Sequence, residues 1–208
     1  MKKLYAEYRS LMVFIVLMII FRSSFADWNH VPTSSMEPTI QIGDRILVNK
    51  MAYDLRIPLT GIKLMTFGDP ERGDIVVFDS EATGNNMVKR VIGTPGDTVE
   101  MKGNVLFING QKLNYSQQST DGESLLFNEA LNNETHTVKV NPYPTSTSSF
   151  QAVEVPSGHF LVLGDNRDNS ADSRFIGFIP RGEIRGRSKT VVMSFNYDNY
   201  YIPRSNVS

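Results

Sequence analysis

The chain has 208 residues, 21 basic and 22 acidic, for a net charge of −1. That length suits one globular domain, or one domain with a subdomain inserted in it, and the near-even charge offers no basic excess for a nucleic-acid partner. With no cysteine and only His30, His136 and His159, widely spaced, disulfides, thiolate catalysis and cysteine zinc sites are excluded, and neither a metal nor another cofactor is expected.

The first element is the uninterrupted apolar run Leu11–Phe21, preceded by Lys2, Lys3 and Arg9 and followed by Arg22. As a helix the run spans roughly 16 Å, short of the ~30 Å hydrocarbon core, so a membrane span has to recruit flanks from about Leu4 to Phe25. Three readings are open. A retained anchor has its short amino terminus in the cytoplasm, because the cations precede the run. A cleaved secretory signal fits the charged start and the small-residue triplet Ser24-Phe25-Ala26. The third reading is a buried core helix.

Beyond Trp28 short β-branched and aromatic runs alternate with turn residues: Arg45–Val48, Asp74–Phe78, Met87–Ile92, Val105–Ile108, His159–Leu163 and Thr190–Phe195. Each is strand-sized and bounded by punctuation such as Gly43-Asp44 or Pro95-Gly96-Asp97. Asn109-Gly110 is the strongest hairpin signal, since both central residues of a type I′ turn need positive φ. The fold class expected is mostly β, an antiparallel sheet domain over 27–208 behind an amino-terminal segment over 1–26. Residues from about Lys112 to Phe150 are polar and rich in Ser, Thr and Asn, and read as a variable cap or long loops inserted between core strands.

Four stretches could carry chemistry. Val31–Ile40 holds a serine cluster between two prolines, which is either a capped turn or a nucleophile that needs a base within reach. A histidine base, with a Ser-His-Asp triad, is one option, although no G-x-S-x-G elbow marks it. Lys89 is another. On a strand it shares a face with Met87 and Val91, while Arg90 points the opposite way. Apolar neighbours remove hydration from the ammonium form, lower its pKa and make a neutral amine available as a base. On spacing alone, the favoured reading of Lys89 is an edge-strand lysine that guards against aggregation. Leu163–Arg174 is dense in turn formers and charges. Asp165, Asp168 and Asp172 imitate a calcium loop, but the closing bidentate acid would fall at Ile176, which rules out that register. Arg72–Phe78 is most simply a turn and a core strand.

Together these stretches resemble the type I signal peptidases, or leader peptidases. Ser35-Met36-Glu37-Pro38-Thr39 looks like the family's S-M-x-P-T box, and Gly43–Val48, Arg72–Val76 and Lys89–Gly93 look like the boxes that follow. Gly164–Arg174 (G-D-N-R-D-N-S-A-D-S-R) looks like the last and most specific one.

The resemblance implies a Ser-Lys endopeptidase that removes signal peptides from exported preproteins after small-x-small motifs. Ser35 is then the nucleophile and Lys89 its general base. Ser170 hydrogen-bonds and orients the lysine, Asp172 and Arg174 form an ion pair under the site, and Arg90 supports it. The oxyanion hole combines the Ser35 backbone N–H with the Thr33 hydroxyl. Val31, Met36, Ile40, Val77, Met87 and Val88 are the candidates for lining shallow substrate pockets. The resemblance also implies retention of the apolar run as a single-pass anchor in the bacterial cytoplasmic membrane, with the bilayer as a partner and the catalytic domain on the outer face. Two rival readings are a Ser-Lys peptidase with another substrate and an exported β-rich binding or scaffold protein.

Overall fold

The computed structural model describes residues 8–18, 26–57, 60, 62–132, 134–196 and 202–203. Residues 8–18 form helix α1, along which the side chains of Leu11 through Met18 are all exposed. The flanks expected to complete a membrane span, 4–7 and 19–25, lie outside the described residues. Among the described residues no helix is both long and apolar enough to cross a bilayer.

The strands follow in chain order. β1 (Ala26–His30) and β2 (Asp44–Asn49) flank a loop with one 3-10 turn, and β3 (Asp54–Arg56) and β4 (Lys63–Thr66) form a hairpin. β5 (Ile75–Ser80) and β6 (Asn85–Gly93) are central. β7 (Thr98–Lys102), β8 (Val105–Ile108), β9 (Gln111–Lys112), β10 (Asn114–Asp121), β11 (Ser124–Leu131), β12 (Glu134–Val140) and β13 (Phe150–Glu154) follow. Then come β14 (His159–Leu163), the short helix α2 (Ser173–Ile176), β15 (Ile179–Pro180), β16 (Ile184–Asn196) and β17 (Ile202–Pro203). The main sheet runs β1-β2-β16-β5-β6-β14-β15, with β17 against β16, and smaller sheets are β13-β7-β8-β9, β10-β11-β12 and β3-β4. Every strand pair is antiparallel.

The apolar runs fall where the sheet is covered on both faces. On β14, Phe160 and Val162 enter one core cluster while Leu161 and Leu163 enter another, so the strand has no solvent face and its sequence does not alternate. β5 divides likewise, Val76 and Phe78 against Val77. Burying each such side chain contributes about 1.5–3 kcal/mol. Asn109 (φ 52°) and Gly110 (φ 77°) close the β8–β9 hairpin in the expected left-handed conformation.

Residues 112–150 are more regular than their composition suggests. They build the three-stranded meander β10–β12, with Leu131, Val138 and Val140 buried on it. Ser, Thr and Asn occupy its exposed positions and hide the period-2 signal.

Candidate active site

The serine segment is held by its own backbone. The N–H of Val31 donates to Asp44 O and that of Gly43 to Val31 O, while Glu37 N–H reaches Ser34 O and Ile40 N–H reaches Met36 O. These bonds wind Ser34–Met36 into one 3-10 turn entered from an extended Thr33. Met36, 1% exposed, anchors the turn in the core beside Val31 and Ile40. Ser35 is buried on the opposite wall, where the Thr33 hydroxyl stands 3.3 Å from its Oγ.

Lys89 arrives on β6. The ladder with β5 pairs Lys89 with Val76, and Val91 N–H donates to Asp74 O. Alternation along an antiparallel strand then turns the backbone groups of Met87 and Lys89 towards β5 and those of Asn86 and Val88 away from it. On that far side β14 pairs with β6 only from Arg90 onward, so among the described strands Asn85–Lys89 are an open sheet edge. The Lys89 side chain folds along this edge, and its Nζ lies 2.8 Å from Ser35 Oγ and donates to Val88 O at 2.9 Å. Only 3% of the residue is exposed. Burial pushes the amine down from 10.5 to about 8, against the opposing influence of the Asp172 and Asp165 carboxylates.

The loop after β14 fastens these two segments. Asp172 accepts the Gly164 N–H at 3.0 Å and binds Arg174 through Nε and Nη2 at 2.8 and 2.7 Å. Asp165 receives Arg90 through Nε and Nη2, at 2.8 and 2.7 Å, and the Thr39 hydroxyl. Asp168 ties down Asn104, Asn141 and Ser148. The three acids that imitate a calcium loop are thus divided among three sets of partners. Asn166 donates its backbone N–H to Ser35 O and its amide to Ser34 O, both at 3.1 Å, and Asn169 donates to Ser34 Oγ.

The chain therefore brings Thr33, Ser35, Lys89, Arg90, Asp172 and Arg174 to one place. Ser170 differs from expectation: its hydroxyl is buried beside Gly164 and the Ser35 carbonyl but makes no hydrogen bond, so the expected bond to Lys89 is not formed. A groove of about 640 Å³ opens over Ser35 and Lys89, lined by Val31, Met36, Met87, Val88 and Ala171 among others. Ile40 and Val77 do not reach it. Both pack behind the wall in the core, Val77 because it stands on β5, one strand removed from the open edge. Sequence reasoning also passed over Asp165, Asn166 and Asn169 as parts of the site. They stood in the most densely polar box, which was the available signal.

The family model described as signal peptidase, peptidase S26, matches residues 5–193. A signal peptidase I of Pseudomonas aeruginosa is 35% identical to this chain, over 92% of the chain and 74% of the relative. One from Pseudomonas fluorescens is 36% identical over the same shares, and one from Bacillus amyloliquefaciens is 35% identical over 90% and 84%.

Proposed function

The chain belongs to the S26 family of signal peptidases, and we propose that Ser35 and Lys89 are the dyad with which it cuts signal peptides from preproteins. It is a serine endopeptidase of the signal peptidase I type. The observation that carries the dyad is the 2.8 Å approach of a buried lysine amine to the Ser35 hydroxyl.

A neutral Lys89 has one lone pair and two N–H bonds. One N–H is committed to Val88 O, which aims the lone pair at the Ser35 proton. As that proton moves to Nζ, Ser35 Oγ attacks the scissile carbonyl. The Thr33 hydroxyl and the Ser35 N–H are the donors for the oxyanion, each worth ~3–4 kcal/mol of transition-state stabilisation. The new ammonium then protonates the leaving amine. Water resolves the acyl-enzyme, with Lys89 again accepting the proton.

The substrate binds as an extended strand. The outward N–H groups of Asn86 and Val88 and the C=O of Asn86 offer ladder bonds, and alternate side chains drop between Val31, Met36, Met87 and Val88. Crowding of that wall favours cleavage after small-x-small sequences. The bilayer is the second partner. The exposed apolar face of α1, and Ile62, Leu64, Met65 and Phe67 on and beside β3–β4, all more than half exposed, support a single-pass enzyme of the bacterial cytoplasmic membrane. Its catalytic domain faces outward and its amino terminus lies in the cytoplasm.

Cleavage of a labelled preprotein by the detergent-solubilised chain tests this reading. Cutting after small-x-small, lost in Ser35→Ala and in Lys89→Ala, is the expected result; activity surviving in Ser35→Ala sinks the dyad.

A further inference from the structure

Glu129 on β11, buried, and His136 on β12, partly buried, are ionisable groups that the cleavage chemistry leaves without a task. They face one another in the β11–β12 register. Glu129 is wholly buried and accepts Arg167 Nη2 at 2.6 Å and the Tyr115 hydroxyl. His136 Nε2 lies 3.2 Å from Glu129 Oε1 and 3.9 Å from Asp165 Oδ1. Both neighbours are carboxylate oxygens, which only accept, so a hydrogen on Nε2 is the arrangement that attracts both, although Nε2 makes a hydrogen bond to neither.

Asp165 holds Arg90 and Thr39, and its neighbour Asn166 grips the carbonyls of Ser34 and Ser35. The same hairpin reaches that loop a second time through its backbone. Lys139 N–H donates to Asp165 O at 2.9 Å and Arg167 N–H to Lys139 O at 2.9 Å, which brackets Asn166. Lys139 Nζ also lies 3.5 Å from Glu37 in the serine box. The insertion therefore touches both halves of the dyad's support.

We propose that the inserted β11–β12 hairpin belongs to the catalytic apparatus, with His136 as a positioning residue. Its Nε2 edge sits between the Glu129 and Asp165 carboxylates, attracts both across 3.2 and 3.9 Å without a hydrogen bond to either, and through Asp165 and Asn166 sets the Ser35 turn against Lys89. No residue of β11 or β12 lines the groove, so the effect falls on kcat and leaves KM alone.

This rests on Ser35 and Lys89 being the dyad, so Ser35→Ala is assayed alongside; activity in that variant condemns the dyad and is separable from any result at position 136. The full-length chain in detergent is compared with His136→Gln, whose amide nitrogen reproduces a donor at the Nε2 position, and His136→Asn, whose shorter side chain does not. Each kcat is referred to the sites titrated by a covalent serine-reactive probe. The expected result is kcat within about threefold of the parent for Gln, about tenfold lower for Asn, and KM within twofold in both. Equal kcat in the two variants, a change confined to KM, or a Gln variant with no titratable sites overturns the proposal.

Discussion

Asn166 clasps the backbone on both sides of the Ser34–Ser35 peptide, its main-chain N–H on Ser35 O and its side-chain amide on Ser34 O. Ser35, the proposed nucleophile, is thus oriented by a residue 131 positions away in sequence (166 − 35). Removing the amide with Asn166→Ala leaves the main-chain bond on Ser35 O and the Glu37 N–H bond on Ser34 O, so one hydrogen bond is lost, worth up to about 1.5 kcal/mol. Turnover in the preprotein assay should fall roughly tenfold, with KM little changed. An unaltered kcat would show that the turn holds itself.

The pH profile follows from the Lys89 environment. With its pKa lowered to about 8, the amine is mostly protonated below that pH and mostly neutral above it. Single-turnover cleavage should therefore rise tenfold per unit of pH below 8 and level off above it. Asp172 is the larger of the two charges opposing the shift, so Asp172→Asn should move the midpoint to lower pH, even as loss of the Arg174 pair lowers the plateau. A midpoint near 10.5 would contradict the burial argument.

The same amine costs stability. Unfolded, Lys89 titrates at the ordinary lysine value, so between about 8 and 10.5 the unfolded chain binds the extra proton and stability climbs as pH rises. Below 8 the penalty is complete, about 3 kcal/mol for a depression of this size. Lys89→Met should raise the denaturation midpoint at pH 7, and the gain should vanish above pH 10.5. Urea titrations at the two pH values check it.

Thr33 is tested by separating its hydroxyl from its shape. Thr33→Val keeps the branched side chain and removes the donor 3.3 Å from Ser35 Oγ. A fall of about 10²-fold in kcat is the expected outcome. Thr33→Ser, which restores the donor, should stay within several-fold of the parent.

Gly164 admits no side chain. A Cβ there would lie 2.4 Å from Ser35 O and 2.3 Å from Ser170 Oγ, and the first of these is backbone that cannot swing aside. Gly164→Ala should push the Ser35 turn off Lys89 and reduce cleavage at least 100-fold, together with a loss of about 1–3 kcal/mol of stability from overpacking. Probe labelling of Ser35 should slow in parallel.

Much of this centre could be read from residues alone. Val105–Ile108 and His159–Leu163 coincide with β8 and β14 because a continuous apolar run between turn residues has few other uses in a chain this size. Thr190–Phe195 caught only the end of β16, whose earlier part, Ile184–Lys189, alternates charges with buried positions and looks like loop. The meander β10–β12 escaped for a related reason, since its buried face mixes Glu129 and His136 with aliphatic residues. Ile40 and Val77 were assigned to the groove although hydrophobicity carries no information on which of two apolar environments a side chain enters. The side-chain bonds of Asp165 to Arg90 and of Asn166 to Ser34 join residues more than 70 positions apart, which periodicity cannot reach.

The parts of the catalytic centre are scattered along the chain. Ser35 and Lys89, the proposed nucleophile and base, stand 54 positions apart, and the loop that fastens both stands beyond residue 163. Such long-range closure makes for slow folding, because chain entropy is lost before the contacts that repay it form. A chain that has emerged only as far as β13 has Ser35 and Lys89 but lacks Asn166, Asn169 and the Asp165 carboxylate that tie the serine turn to the Lys89 strand. A copy made only as far as β13 is therefore a peptidase in composition only.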